Sequence, residues 1–317
     1  MDNKNENNDI NIIPIYENQE NQEKNLATNL DKIVEPSHKT KLVLSGGGVK
    51  GIAHIGVLYA LDKLKCLDKI TEFAGTSIGS LIMAMYILGY SPTELYDFIK
   101  LFDLGKLKNL SILNIHLFGL DNGSRIEYVI KRLIKGKNFN ENITLKELYD
   151  IKKKKAIFTT MCINTIEICY MSHETHPTLP LYLAIRMAIS LPLIYCPVQY
   201  NGYYYIDGGC YDNYPMSVFK NDIDSTIGIL LVDSRDTVDK IDNLETYISR
   251  VFKCIMVGMS VNSKNGYEKN TIDIDVESIN IVDYEINDAK KDELFLKGYK
   301  SVMNQVDKLK PSENTEK

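Results

Sequence analysis

The sequence has no tryptophan, only five histidines, and no pair of cysteines at the C-x-x-C spacing. Its cysteines also lack the spacing of a structural zinc site, and several stand in apolar runs, where cysteine acts as a small hydrophobe. We therefore expect no metal site, and free thiols in a reducing compartment. The six cysteines are Cys66, Cys162, Cys169, Cys196, Cys210 and Cys254.

Excess positive charge and long apolar runs are lacking as well. The 317 residues carry a net charge of −5, so composition gives no electrostatic basis for binding nucleic acid. The longest apolar run, around Leu81 to Leu88, is far shorter than the roughly 20 residues that span a bilayer. The polar N-terminus does not have the pattern of a secretory signal peptide. We expect a cytoplasmic protein with no transmembrane segment, able to act peripherally at membranes.

Composition divides the chain into four parts. Residues 1–39 are polar and of low complexity, which predicts a disordered tail. Residues 40–220 carry the motifs described below and are expected to form the principal domain. Residues 221–310 are expected to form an α/β extension that packs on the same domain, and residues 311–317 a second polar tail. With 44% hydrophobic residues, the chain can bury a large core.

The expected extension has its own pattern of elements. Thr226–Val232 predicts a buried strand, and apolar residues at helical spacing between Leu244 and Met259 predict a long helix. Such a stripe is usually core, although it can also be an interface. Two alternating segments, Thr271–Val276 and Ile279–Tyr284, predict short strands before a final helix at about residues 288–309.

One short motif is the most informative feature of the sequence. Residues 75–79 follow the pattern G-x-S-x-G, directly after a predicted strand at Ile70–Ala74 and before an apolar, methionine-rich helix. A serine in so sharp a turn has strained backbone, so Gly75 and Gly79 beside it must be nearly free of side chain. The pattern predicts a nucleophile elbow with Ser77 at its tip. A plain glycine-rich turn is the alternative.

A glycine loop occupies an earlier strand-to-helix turn. The predicted strand Lys41–Leu44 runs into S-G-G-G-V-K-G, and a helix follows from near Ile52. The glycines match the dinucleotide pattern G-x-G-x-x-G, which requires an acidic residue at the end of the second strand, where Ser77 stands instead. A phosphate-binding loop would need G-K-[ST]. The glycines of this match are Gly46, Gly48 and Gly51.

A third interpretation of the glycine loop is an oxyanion hole, since its backbone N–H groups can converge on an anion. That interpretation predicts a nucleophile one strand later, where Ser77 lies. The two turns support each other, because both open on the same edge of a parallel sheet. A tight turn required only for helix packing remains the alternative.

A serine nucleophile needs a base, and the histidines do not supply an obvious one. In the usual hydrolase order the histidine comes last, yet none follows His176. His54 lies on the packed face of the first predicted helix and is expected to be a core histidine. A hairpin around Asn201-Gly202 ends in Asp207, followed by Gly208 and Gly209. Held against the Ser77 hydroxyl in a desolvated site, Asp207 could deprotonate it directly.

In this order and context, the three motifs resemble the patatin-like phospholipases. The resemblance covers roughly Leu42 to Phe219 and extends to Ala53–Leu58, Ala184–Pro192 and Asn213-Tyr214-Pro215. One departure is Lys50, where the family often has arginine; lysine keeps the charge but loses the planar fork. The motif residues are Gly46, Gly47, Gly48, Lys50, Gly51, Gly75, Ser77, Gly79, Asp207, Gly208 and Gly209.

The resemblance implies a three-layer α/β/α sandwich with a mainly parallel central sheet. It also implies hydrolysis of lipid acyl esters without metal or cofactor, with Ser77 as nucleophile and Asp207 as proton acceptor. The amides of Gly46, Gly47 and Gly48 would form the oxyanion hole. We therefore expect a lipid or phospholipid substrate at a membrane surface and no nucleic-acid partner.

Two other classes of protein fit part of the pattern. A dinucleotide-binding oxidoreductase would use the G-x-G-x-x-G loop, but it would leave Ser77 and Asp207 unexplained. A catalytically silent lipid-binding module would keep the fold, although packing alone does not require Ser77 and Asp207 together.

Overall fold

The computed structural model describes residues 38–232, 237, 239–276 and 286–309. The two expected polar tails, apart from residues 38 and 39, lie outside the described residues. So does the expected strand Ile279–Tyr284.

Strands and helices alternate through most of this part of the chain. The strands are β1 (Lys41–Leu44), β2 (Glu72–Thr76), β3 (Gly119–Asp121), β4 (Lys155–Cys162), β5 (Glu167–Met171), β6 (Leu193–Tyr195), β7 (Val198–Tyr200), β8 (Tyr203–Asp207), β9 (Thr226–Val232) and β10 (Thr271–Asp275). The α-helices are α1 (Ile52–Lys63), α2 (Ile78–Leu88), α3 (Pro92–Leu101), α4 (Ser124–Gly136), α5 (Leu145–Lys152), α6 (Leu181–Ala188), α7 (Leu244–Lys264) and α8 (Asp288–Met303).

Most strands join one central sheet. Its order is β10-β9-β1-β2-β4-β8-β7, and β5 also pairs with β4. The five strands from β10 to β4 are parallel, whereas β5 and β8 pair antiparallel with β4. A separate two-stranded sheet pairs β3 with β6. The predicted α/β class with a mainly parallel sheet is therefore confirmed.

The central sheet is covered on both faces. Successive side chains of a strand point to opposite sides, and in β1 Leu42 and Leu44 enter one hydrophobic cluster while Val43 enters another. The first cluster contains apolar residues of α1, α2 and α8. The second includes Tyr214 and residues of the 3-10 segment Met216–Ser225. Burial on both faces explains why β9, one of the inner parallel strands, is almost continuously apolar.

Turn motifs in the sequence correctly marked the ends of several elements. Asn201 and Gly202 have φ of 49° and 84°, as the predicted hairpin turn between β7 and β8 requires. Gly89 ends α2 in the left-handed region, with φ of 112°. Helix α2 begins at Ile78, directly after the elbow residue Ser77.

Helix α7 confirms the predicted long helix, but only part of its apolar stripe is core. Ile248 is buried against Leu191, Ile194 and Tyr195. Four other residues of the stripe are exposed, namely Leu244, Tyr247, Val251 and Ile255. Most of the described stripe is therefore not core, and the alternative of an interface stays a prediction.

The first and last helices cross with their backbones in close contact. A Cβ atom on Gly56 of α1 would overlap the carbonyl oxygen of Phe295, and one on Gly298 of α8 would overlap that of Ala53. The aromatic ring of Tyr59 lies 5.5 Å from that of Phe295, centroid to centroid. These glycines allow α8 to approach α1, which itself follows the glycine loop.

We expect Gly298→Ala to lower the free energy of unfolding by about 1–3 kcal/mol, because the added methyl group forces α8 away from α1. The matched control is Gly258→Ala in α7, where a Cβ would meet nothing within 4 Å. That variant should be neutral or more stable by up to about 1 kcal/mol, because alanine favours a helix. Urea unfolding followed by circular dichroism measures both, and equal effects would contradict the proposed helix contact.

Candidate functional site

Ser77 occupies a strained turn between β2 and α2. Its φ of 52° and ψ of −124° lie outside the regions that L-residues favour. A Cβ on Gly79 would overlap the carbonyl oxygen of Leu44, and one on Gly75 would lie 2.7 Å from the Ser80 nitrogen. Both flanking glycines are therefore sterically required, as the elbow interpretation predicted.

One edge of β4 brings Ser77 and Asp207 together. Thr76, the last residue of β2, lies opposite Thr159, and Asp207, the last residue of β8, lies opposite Thr160. Strand β5 occupies the other edge of β4 across the same positions. Strands β2 and β8 must therefore share one edge and end against each other. A Cβ on Gly208 would lie 2.6 Å from the Thr159 backbone, so only glycine fits there.

The two side chains meet inside the protein. Ser77 is 8% exposed and Asp207 is 1% exposed. The Asp207 carboxylate accepts a hydrogen bond from the Gly209 N–H at 2.8 Å, and the Ser77 hydroxyl is near enough to lower the pKa of this carboxylate. Burial raises the pKa of Asp207 from 3.8 to about 6, although the Ser77 hydroxyl and the Gly209 N–H act in the opposite direction. The carboxylate is therefore a stronger base than an exposed aspartate, and it is still ionised at pH 7.

The glycine loop lies beside Ser77. A Cβ on Gly46 would be 3.2 Å from the Cβ of Ser77. The Gly46 N–H is already used, because it donates to the Asn213 carbonyl at 3.0 Å. Within the residues that the structure describes, no acceptor is found for the N–H groups of Gly47 and Gly48. These two amides are the ones able to bind a ligand.

Buried hydrogen bonds fix the start of this loop. The Nε2 of His54 lies 2.9 Å from the Ser45 carbonyl, and the Leu231 N–H donates to the Ser45 hydroxyl at 3.0 Å. Burial lowers the pKa of His54 to about 4, so the imidazole is neutral and donates through Nε2. His54 is thus the core histidine that the sequence predicted, and its hydrogen bond to the Ser45 carbonyl fixes the start of the glycine loop.

The remaining residues of the glycine motif do not reach Ser77 in the same way. Lys50 is buried and lines a second cavity, together with Gly46 and Gly47. A Cβ on Gly51 would overlap the side chain of Ile78, so Gly51 allows the loop to pack on α2. The structure gives Gly51 a packing role and places Lys50 in the wall of the second cavity.

An apolar cavity of about 150 Å³ opens onto the two catalytic candidates. Ser77 and Asp207 are nearly its only polar side chains. Its walls come from α1, α2, α3, α4 and the segment before β6. Helix α3 and the segment that follows it contribute Leu95, Phe98, Ile99, Phe102, Leu104 and Leu107.

Two residues that support the site were not predicted individually. The Asp212 carbonyl accepts from the Thr76 hydroxyl at 2.9 Å, directly beside Ser77. The Asn213 carbonyl holds Gly46, and its side chain donates to the Ser260 hydroxyl at 2.8 Å. For Asn213 the sequence offered the resemblance at Asn213-Tyr214-Pro215 as a signal, and for Asp212 it offered only the neighbouring Asp207-Gly208-Gly209. These contacts join the third motif to the first two.

Comparison with known proteins identifies the family. A family model described as patatin-like phospholipase matches residues 42–220. The chain therefore belongs to the patatin-like phospholipase family, and the resemblance seen in its motifs is confirmed.

The relatives share low sequence identity with this chain, but the matches cover much of its length. The chain is 30% identical over 292 residues to the uncharacterized protein R571 of Acanthamoeba polyphaga mimivirus, covering 88% of this chain and 97% of that one. It is 30% identical over 191 residues to the probable lipid hydrolase 463L of Invertebrate iridescent virus 6, covering 58% of this chain and 64% of that one, just under two thirds. The crystal structure of VipD from Legionella pneumophila superposes with a TM-score of 0.62 at 17% identity, covering 86% of this chain and 67% of that one. The last comparison supports the fold alone.

We expect Asp207→Asn to stabilise the folded protein at pH 8. The folded-state pKa is raised from 3.8 to about 6, so the wild type loses stability as pH rises between these values. A neutral amide avoids this loss, which amounts to at most about 3 kcal/mol. Thermal unfolding of both proteins between pH 4 and pH 8 measures the difference, which should shrink towards zero near pH 4. A variant less stable than the wild type at pH 8 would contradict the desolvated carboxylate.

Proposed function

We propose that this protein hydrolyses fatty-acyl esters of lipids, with phospholipids as the principal class, through a Ser77–Asp207 dyad. Membership of the patatin-like phospholipase family and the name of the related probable lipid hydrolase support lipid-ester hydrolysis. The observation that carries the dyad is that Ser77 and the buried Asp207 carboxylate lie together in the wall of one apolar cavity.

In the first step, the Ser77 hydroxyl oxygen attacks the ester carbonyl carbon, and its proton passes to Asp207. A carboxylate with a pKa of about 6 is suited to this role, because it is ionised at neutral pH and more basic than an exposed aspartate. The strained backbone of Ser77 keeps its side chain at the end of β2, where the base is within reach.

The negative charge that develops on the carbonyl oxygen needs donors. The N–H groups of Gly47 and Gly48 are proposed to supply them, since Gly48 lines the cavity beside Ser77 and the Gly46 N–H is occupied. Helix α2 begins at Ile78, and the positive end of its dipole favours negative charge at this position. Asp207 then returns the proton to the leaving alcohol, which leaves an acyl ester on Ser77.

Water completes the reaction. Asp207 accepts a proton from a water molecule that attacks the acyl carbonyl, and the fatty acid departs as Ser77 regains its proton. The apolar cavity suits the acyl chain, because α2, α3 and α4 line it with aliphatic and aromatic side chains. In the described part of the chain, no helix is long and apolar enough to cross a membrane. We therefore propose that the substrate is reached from a membrane surface.

No comparable observation supports the two alternative classes, a dinucleotide-binding oxidoreductase and a catalytically silent lipid-binding module. In the described structure β2 ends at Thr76, whose hydroxyl donates to the Asp212 carbonyl, so the acidic strand end of a dinucleotide site is missing. A silent lipid-binding module would not need the strained backbone of Ser77 or the buried charge of Asp207, since both lower stability.

A lipid-like fluorophosphonate probe tests the nucleophile. We expect covalent labelling of the wild type and none of Ser77→Ala. Asp207→Asn should react roughly 10²–10⁴-fold more slowly, because the serine has lost its base.

The control for this experiment is Asp212→Asn. Asp212 is another buried carboxylate, bonded to the Tyr170 hydroxyl at 2.7 Å. Its contact with Thr76 is made by the backbone carbonyl, which asparagine keeps. This variant should label within a few-fold of the wild type. Labelling that persists in folded Ser77→Ala would refute the assignment of the nucleophile.

The dyad also predicts a pH dependence. Because Asp207 must be unprotonated to act as the base, kcat/KM for a short-chain soluble ester should rise about tenfold per pH unit below pH 6 and level off above it. Initial rates between pH 4.5 and pH 8 give this profile, with circular dichroism as a check on folding. A profile that is flat across this range would argue against Asp207 as the base.

A further inference from the structure

A run of large apolar side chains projects into solvent between α3 and β3. Six of the nine residues at positions 110–118 are exposed aliphatic or aromatic residues. Leu113 is 78% exposed and Ile112 is 71% exposed, values that are unusual for leucine and isoleucine. The others are Leu110, Ile115, Leu117 and Phe118. Contiguous exposed apolar groups of this kind mark sites of interaction.

The backbone of this segment is tied down, so the exposure is built into the fold. The Ser111 N–H donates to the Leu120 carbonyl at 2.7 Å, and the Asn114 side chain donates to the same carbonyl at 3.0 Å. The Asn109 N–H donates to the buried Asp121 carboxylate at 2.6 Å. A 3-10 helix at Ile112–Leu117, capped by Ser111, then turns the apolar side chains outward.

The exposed segment is continuous with the apolar cavity. Leu104 and Leu107, on the chain that leads into it, line the cavity beside Ser77. On its other side, Gly119 of β3 pairs with Leu193 of β6, which is 52% exposed. Leu193 stands between Leu191 and Tyr195, and both of these line the cavity. The apolar surface therefore borders the walls of the proposed catalytic cavity.

The charge of this region differs from that of the whole chain. Between Asp103 and Asp121 there is no acidic residue, and the charged side chains are those of Lys106 and Lys108, although the chain carries −5 overall. The flanking Arg125 donates to the Lys108 carbonyl at 2.6 Å and brings a third cation. Two acids are close, since Lys108 pairs with Glu245 at 2.8 Å and the buried Asp121 carboxylate binds the Asn109 N–H. Exposed apolar side chains surrounded by cationic ones suit a membrane whose anionic head groups lie above its acyl chains.

We propose that residues 110–118 and Leu193 form a docking surface that inserts into an anionic lipid bilayer. This inference rests on the proposed function, because it names the surface through which the same site meets its substrate. Insertion places the exposed side chains among acyl chains and holds the apolar cavity against the bilayer. A lipid chain then passes from the membrane into the cavity without crossing water.

The absence of tryptophan from the chain allows a direct test. Leu113→Trp in a Ser77→Ala background places a single tryptophan at the docking surface and leaves the lipid intact. With vesicles of phosphatidylcholine and phosphatidylglycerol, its emission should shift to shorter wavelength and be quenched by lipids brominated in their acyl chains. Pure phosphatidylcholine vesicles should produce a smaller change.

The matched tryptophan control is Ile151→Trp in the same background. Ile151 is 60% exposed on α5, just before β4 begins, at the opposite end of the sheet from Ser77. Its emission should not change on addition of vesicles. A Leu113→Trp emission that stays unshifted overturns the proposal. A shift that appears without vesicles and grows with protein concentration also overturns it, because a second copy of the chain would then cover the surface.

A second experiment separates docking from catalysis. The double variant Ile112→Ser/Leu113→Ser should bind anionic vesicles roughly tenfold or more weakly in sedimentation, since two aliphatic side chains no longer insert. Its hydrolysis of a short-chain soluble ester should match the wild type, and Ile151→Ser should resemble the wild type in both assays. Unchanged vesicle binding by the double variant overturns the docking surface, whatever the activity. If the wild type binds vesicles through this surface but never reacts with the fluorophosphonate, docking stands and the proposed hydrolase function fails.

Discussion

The site depends on one edge of a single strand. Along one edge of β4, pairing with β2 ends where Thr76 lies opposite Thr159, and pairing with β8 begins where Asp207 lies opposite Thr160. Strands β2 and β8 run in opposite directions, so their last residues meet at this point. Each ends in a glycine-containing turn, because a side chain at Gly79 or Gly208 would strike neighbouring backbone. The hydroxyl and the carboxylate therefore face each other by backbone pairing, and their positions do not depend on flexible side chains.

The same arrangement makes the site energetically unfavourable. Ser77 has strained φ and ψ, and Asp207 loses most of its hydration, which is why its pKa rises to about 6. Such strain persists only where the surrounding structure determines it. Here the surroundings are a sheet buried on both faces, a loop held by His54, and the close packing of α8 on α1. The C-terminal elements thus contribute to the stability that the site requires, although they lie beyond the matched family segment.

Local signals account for most of what could be predicted. The elbow, the glycine loop and the hairpin before Asp207 each require backbone that few residues other than glycine adopt, so each is visible in a short stretch of sequence. The antiparallel pairing of β8 with β4 joins residues more than forty positions apart and has no such signal. For the same reason the contacts of Asp212 and Asn213, the packing of Gly298 on Ala53 and the engagement of the Gly46 N–H became evident only in the structure.

The exposed apolar surface of residues 110–118 lies beside the cavity in which the reaction is proposed to take place. In the proposed mechanism, Ser77 and Asp207 act in an apolar cavity that excludes water, which strengthens the hydrogen bonds of the transition state but also hinders a substrate that arrives through water. An acyl chain gains nothing by leaving a bilayer for solvent, whereas transfer into a cavity whose rim lies in the bilayer keeps it in apolar surroundings throughout. The large apolar side chains of residues 110–118 are mostly exposed, so packing within the fold does not account for them. Their position beside the walls that hold Ser77 is therefore best explained by the path of the lipid.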